Sequence, residues 1–252
     1  MIKLQGSSNE NFVVLGLGRS GMASARALNA SGANVICWDD DPEKRSLVSS
    51  QGLRIMDSVS DFDWESIDRL IISPGVPHHF PSPHPIVSAA VSAGVLIDND
   101  VGLFFQSIAT ETWEKFSVRP RIIAVTGSNG KSTTASLLHH IFLNLGYKSQ
   151  LAGNIGRGVL DIDPPENNEL IVLELSSYQT EVARILSPDL AIFTNFSADH
   201  LERHGGIGGY LAAKRRLFTE GCPDYSIIGV DELAGLNLSL IHISEPTRRY
   251  EI

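Results

Sequence analysis

Two glycine-rich segments carry residue types suited to holding phosphate. Thr126-Gly127-Ser128-Asn129-Gly130-Lys131-Ser132-Thr133 follows the apolar run Ile122–Val125 and precedes a helical pattern. In that position its backbone amides and the Lys131 ammonium can surround triphosphate oxygens, and Ser132 or Thr133 can ligate Mg2+. The common phosphate-loop pattern places a glycine five residues before the Gly-Lys pair; Val125 stands there, so the loop is a shortened variant. The second segment, Gly16-Leu17-Gly18-Arg19-Ser20-Gly21, also lies between an apolar run and a helical pattern, with Asp39 about 20 residues on. Its glycines permit close backbone approach to a diphosphate, and the acid can accept from a ribose or similar hydroxyl. Ser73-Pro74-Gly75 follows another apolar run, at the edge where ligands of open α/β sheets bind. Two phosphate loops imply two phosphorylated ligands.

Other candidates cluster after apolar runs. Glu174 ends Leu170–Leu173, where a carboxylate could meet Mg2+, although an exposed strand-end acid would read the same way. Asp199-His200 follows Leu190–Phe193 and its loop, and His200 could serve a metal or a phosphate. Ala212-Ala213-Lys214-Arg215-Arg216 lies on a predicted helix, where a basic trio reads first as a solvated face. A lysine near a desolvated metal site can, however, change its ionisation and react. His78, His79 and His84 stand among prolines and fit a loop better than a metal site.

The elements that would position these residues alternate. Phe12–Leu15, Val35–Trp38, Leu70–Ile72 and Val95–Ile97 read as strands separated by helices, and a second series follows with Ile122–Val125, Leu170–Leu173 and Leu190–Phe193. Helices are predicted from about Lys131 to Leu145 and over Tyr210–Phe218. This rhythm, with strands apolar on both faces, indicates parallel sheets covered by helices. The expected fold is α/β: an N-terminal Rossmann-like parallel-sheet domain over residues 1–115, then a partial P-loop ATPase-type α/β domain over 116–237, joined through a linker at Ser107–Pro120.

With 252 residues there is ample chain for two buried cores. Hydrophobic residues make up 42% and charged residues 19%, and no apolar run approaches the roughly 20 residues of a membrane span. The polar start lacks a secretory pattern, so a cytoplasmic location is expected. A net charge of −9 argues against nucleic-acid or membrane partners. Cys37 and Cys222, far apart, are expected to be buried reduced thiols.

Taken together the motifs resemble the Mur ligase family, most nearly its D-glutamate-adding branch. The resemblance rests on T-G-S-N-G-K-S-T at Thr126–Thr133, G-N-I-G at Gly153–Gly156, E-L-S-S-Y-Q at Glu174–Gln179, N-F-S-A-D-H at Asn195–His200 and Y-L-A-A-K-R-R at Tyr210–Arg216, and covers about residues 11–235. Ser128, Ser132 and Tyr178 separate it from the sister branches. It implies ATP-dependent ligation of D-glutamate to UDP-N-acetylmuramoyl-L-alanine through an acyl phosphate, by a monomer. By position, Gly127–Thr133 would hold ATP, with Lys131 on the β- and γ-oxygens. Ser132 and Glu174 would ligate Mg2+, Asn154 and His200 would position the muramoyl substrate and a second metal, and Lys214 would be carbamylated into a metal-ligating carboxylate. Gly16–Gly21, Asp39 and Ser73–Gly75 would cradle the uridine diphosphate; Asp40 and Asp41 depart from the family pattern on the uracil side.

The resemblance implies more chain: the rest of the ATP domain and a third, amino-acid-binding domain. Leu238–Ile252 reads as a non-native tail, so the expectation is a truncated, inactive piece that binds the uridine nucleotide. Two other readings compete: an NAD(P)-dependent oxidoreductase built on Gly16–Gly21, which leaves Gly127–Thr133 idle, and a nucleotide-binding module without catalysis.

Overall fold

The computed structural model describes residues 2–58, 62–110 and 115–229. The expected alternation of strands and helices is present. In the first half β1 (Asn11–Leu15), α1 (Arg19–Ala30), β2 (Asn34–Trp38), α2 (Pro42–Ser50), β3 (Arg54–Ile55), β4 (Arg69–Ile72), α3 (Pro85–Ser92), β5 (Leu96–Asp98) and α4 (Asp100–Thr110) follow one another. Their five strands form one parallel sheet in the order β3-β2-β1-β4-β5. The order reverses at β1, so the crevice outside the carboxyl ends of β1 and β4 is where such a sheet offers a ligand site. The loops Gly16–Gly21 and Ser73–Gly75 leave those two strands.

The second half contains β6 (Arg121–Thr126), α5 (Lys131–Asn144), β7 (Ser149–Gly153), β8 (Leu170–Glu174), α6 (Ser177–Val182), β9 (Leu190–Phe193), α7 (Ile207–Thr219) and β10 (Tyr225–Ile228). This sheet is also parallel, in the order β10-β9-β6-β8-β7. Central strands are apolar on both faces: Ile122, Ile123, Ala124 and Val125 of β6 are all buried, as are Ile171, Val172 and Leu173 of β8. Helices cover both sides of such a strand, which accounts for its continuous apolar run. Register sets Val125 beside Glu174 and Thr126 beside Phe193, so the loops after β6, β8 and β9 open at one edge.

The two sheets share a core. One apolar cluster runs from Phe12 and Val14 of β1 through Ala23–Leu28 of α1 and Val101, Phe104 and Phe105 of α4 to Leu160, Ile171 and Phe193. Polar contacts reinforce the junction: Asn99 Nδ2 donates to Gln179 O (2.7 Å), the Arg184 amide to Asp98 Oδ1 (3.1 Å), and Arg26 pairs with Asp161 (3.2 Å).

Three expectations need correction. The segment read as a linker from Ser107 begins as helix, since α4 continues to Thr110; the apolar residues Phe104, Phe105 and Ile108 give it a buried face, and the polar residues that follow mask the pattern. Only Cys37 is buried, whereas Cys222 is exposed in the turn after α7. The strand read as Val95–Ile97 is shifted to Leu96–Asp98. Leu238–Ile252 lies outside the described residues.

Candidate functional site

The loop Gly127–Thr133 is built by its neighbours. Gly127 has φ 139°, and a Cβ there would lie 2.1 Å from Thr194 Oγ1, so no side chain fits. The Ser128 amide donates to Asn195 O (2.9 Å) and the Asn129 amide to Asn195 Oδ1 (2.9 Å). Ser128 Oγ donates to Ser197 O (2.9 Å). Gly130, at φ 79°, turns the chain into α5 without a side-chain cap. The first-turn amides of a 14-residue helix therefore point out of the loop, with the positive end of its dipole behind them. Lys131 folds back so that Nζ donates to Ser128 O (2.6 Å), while Ser132 and Thr133 are exposed.

Glu174 closes this loop from β8. It is 2% exposed, which sets aside the exposed strand-end reading. Its Oε2 accepts from Ser132 Oγ (2.8 Å) and its Oε1 from Asn154 Nδ2 (3.3 Å). The Asn154 amide also donates to Glu174 O (2.9 Å), an approach that needs Gly153, whose Cβ would lie 2.2 Å from that oxygen. Ser132 and Glu174 are thus brought together, and Asn154, expected beside His200, hydrogen-bonds the same carboxylate. Hydroxyl and carboxylate oxygens form a hard donor set suited to Mg2+. Among the described residues no group of three or more His, Cys, Asp and Glu side chains gathers as a metal cluster, so such an ion would keep several waters.

Lys214 contradicts the solvated-face reading. Its neighbours Arg215 and Arg216 reach the surface, but Lys214 is 1% exposed on the inner face of α7. Its Nζ donates to Gly127 O (2.7 Å) and lies 4.6 Å from the Tyr210 ring centroid. Burial, then the nearby Lys131 charge, pushes its pKa down from 10.5 to about 7, against the pull of Asp199 and Glu174. A buried amine so shifted is available as a neutral nucleophile near neutral pH.

His200 stands apart from these hydrogen bonds. It takes a left-handed backbone (φ 51°), its side chain is half-exposed, and its Nε2 lies 3.4 Å from Asp199 Oδ2. Its ring meets Tyr178 at 5.1 Å. Tyr178 in turn stacks on His204 (5.2 Å, 13°), a buried residue that the sequence reading missed. His204 Nε2 lies 2.9 Å from Ser177 Oγ and Nδ1 2.9 Å from Glu181 Oε2. The available signal was its position four residues after His200 in one loop.

In the first domain, Gly16 adopts φ 86° and its carbonyl accepts from Ser73 Oγ (2.6 Å), locking the loop after β1 to the loop after β4. Gly21 is forced: a Cβ would lie 1.8 Å from Gly16 O. Gly18 precedes α1 without a side-chain cap, again leaving helix amides open. Leu17 is buried, so it can offer only backbone. Asp39 serves the loop itself: Oδ2 accepts from the Leu17 amide (2.6 Å) and Oδ1 from the Asp41 amide (2.9 Å). Burial raises its pKa, but those two amides and Lys44 outweigh it and hold the carboxyl below its ordinary range. Asp40 pairs with His84 (3.0 Å), and Asp41 caps α2. Ser73 and Pro74 form a turn closed by the Val76 amide on Ser73 O, and Gly75 O accepts from Arg203 (3.2 Å). Ser20 hydrogen-bonds the buried Asp100, and Arg19 reaches Asn154 O and Gly156 O in the second domain.

Residues 125–240 match the Mur ligase middle domain. The chain is 58% identical over 241 residues to UDP-N-acetylmuramoylalanine–D-glutamate ligase of Roseobacter denitrificans, an alignment covering 95% of this chain and 52% of the relative. It is 57% identical to the enzyme of the same name from Ruegeria pomeroyi, over 95% of the chain and 51% of the relative. Over nearly its whole length, then, the chain is similar to Mur ligases, and residues 125–240 carry the match to their middle domain. It spans about half the length of the curated relatives it matches. The fold agrees with a UDP-N-acetylmuramate:L-alanyl-gamma-D-glutamyl-meso-diaminopimelate ligase from Neisseria meningitides, at a TM-score of 0.56 and 16% identity over 92% of this chain and 74% of that one. The expected fold class, a Rossmann-like sheet followed by a P-loop-type sheet, is thus that of solved Mur ligases.

Proposed function

We propose that this chain belongs to the Mur ligase family and carries the nucleotide sites of an ATP-dependent enzyme joining D-glutamate to UDP-N-acetylmuramoyl-L-alanine through an acyl phosphate. The observation that carries the reading is the Ser132–Glu174–Asn154 network at the start of α5, with the buried Lys214 on the same loop. The names of the curated relatives at 56–58% identity support the choice of substrate. Domain limits of 1–115 and 116–237 remain part of this proposal.

In this reading the α5 amides and Lys131 hold the β- and γ-phosphates of ATP, and Ser128, Asn129 and Thr133 line the loop. Ser132 and Glu174 hold Mg2+, which supplies electrostatic stabilisation of the transferred phosphoryl group. Lys131 adds a second positive charge at the same oxygens. Once neutral, Lys214 Nζ can attack carbon dioxide and release one proton to water, leaving a carbamate; this would turn a cation that repels Mg2+ into an anionic oxygen donor able to hold it. His200 and Asn154 orient the muramoyl substrate, and Gly16–Gly21 receives its diphosphate through the open amides at the start of α1, with Ser73–Gly75 lining the same crevice. Asp39 acts by shaping that loop. The chain binds small molecules as a cytoplasmic monomer, without nucleic-acid or membrane partners and without completing the ligation itself; among the described residues no helix is long and apolar enough to cross a membrane.

Isothermal titration tests the division of the sites. Lys131→Ala should lose Mg2+–ATP binding and keep UDP-N-acetylmuramoyl-L-alanine binding; loss of both would mean the two loops are wrongly assigned.

A further inference from the structure

One side chain joins the two glycine loops. Arg19 is the first residue of α1, inside Gly16–Gly21, yet its guanidinium leaves its own domain. Nη1 donates to Gly156 O (3.0 Å) and Nη2 to Asn154 O (3.2 Å), partners 137 and 135 residues away in sequence. Both acceptors are neutral carbonyls. They engage two of the five N–H donors of a guanidinium, so donors remain for another acceptor. Gly153 (φ 110°) and Gly156 (φ 63°) bound the loop it holds, which is tied to its own domain at Asn154 and leaves the Asn154 and Gly156 carbonyls to the guanidinium. Asn154 continues the path: its Nδ2 and amide both reach Glu174, and Glu174 accepts from Ser132.

We infer that Arg19 couples the two phosphate sites. A nucleotide diphosphate in the first loop takes the remaining guanidinium donors and pins the exposed side chain. The pinned guanidinium then fixes the Gly153–Gly156 loop, and with it the Asn154–Glu174–Ser132 arrangement that receives Mg2+ and the triphosphate. Ordering done by the first ligand need not be repeated for the second, so the two bind cooperatively, and the effect is reciprocal. The inference rests on the reading of Gly16–Gly21 as a nucleotide-diphosphate site.

The test is isothermal titration of the chain with ATP in Mg2+, without UDP and with UDP at saturation for each variant. In the wild type UDP should tighten ATP by about fivefold or more, and ATP should tighten UDP by the same factor. Arg19→Ala should reduce that factor to about one. Arg19→Lys keeps the charge beside the first loop but lacks the planar fork that spans two carbonyls, so it too should lose the coupling while binding UDP better than Arg19→Ala. An equal factor in wild type and Arg19→Ala, or coupling retained in Arg19→Lys, overturns the inference. UDP binding in the wild type without effect on ATP removes the coupling alone. No UDP binding in the wild type removes the diphosphate reading and the coupling with it.

Discussion

Replacing Lys214 with methionine is expected to stabilise the fold at neutral pH and to erase a pH dependence. The folded chain holds this ammonium at 1% exposure, with Gly127 O and the Tyr210 ring as neighbours and Lys131 close enough to repel it. Its pKa falls from 10.5 to about 7, a drop of about 3.5, which at about 1.4 kcal/mol per pKa unit corresponds to about 5 kcal/mol as an upper bound. Between pH 7 and 10.5 the unfolded chain keeps the proton that the folded chain releases, so stability rises with pH through that window. Below pH 7 both states are charged and the whole penalty is present. Methionine has similar length and no charge, but removes a donor from Gly127 O, at a cost of about 1–3 kcal/mol. The net gain near pH 7 is then about 2–4 kcal/mol, vanishing or reversing near pH 10. Urea unfolding followed by circular dichroism at pH 7, 8.5 and 10, in buffer free of carbon dioxide so that the amine is unmodified, measures the difference. Parallel stability curves for the two proteins would refute the argument.

Three further outcomes follow from the same geometry. Burial pushes Asp98 up from 3.8 to about 6 despite the Asn99 and Arg184 amides, so the folded state binds the extra proton and stability falls as pH rises from about 4 to 6, by about 3 kcal/mol. Asp98→Asn should remove that slope, and an unchanged pH profile of the urea midpoint would count against it. Gly127→Ala places a methyl 2.1 Å from Thr194 Oγ1 and should abolish ATP binding in a titration; wild-type affinity would show that the loop is not held as described. In a thiol-reagent assay the native chain should expose one fast cysteine, the exposed Cys222. Cys37, buried and pushed up to about 12, should react only after denaturation, and two fast thiols in the native state would contradict this.

Strands with strong apolar runs were legible because burial on both faces leaves few alternatives: β1, β4, β6, β8 and β9 all lie within two residues of their expected positions. The strands that went unread have weak local signals. β3 has two residues, β7 reads Ser-Gln-Leu-Ala-Gly, and β10 alternates exposed and half-buried residues at the sheet edge, so only pairing with a neighbour defines them.

The glycine loops and the family resemblance were readable because those properties are local: a turn that no Cβ tolerates, followed by a helix start, has a short sequence signature. Tertiary structure decided what each charged side chain does. Asp39 stands at the acidic position of the fingerprint, yet the Leu17 and Asp41 amides take its oxygens. Lys214, Arg215 and Arg216 look alike in sequence, but only the face of α7 turned toward Gly127 buries its lysine and lowers its pKa. His204 and Arg19 act through partners distant in the chain. Ionisation and hydrogen-bond partners depend on which distant residues the folded chain brings close and how much water it removes, and neither is a property of neighbouring residues in sequence.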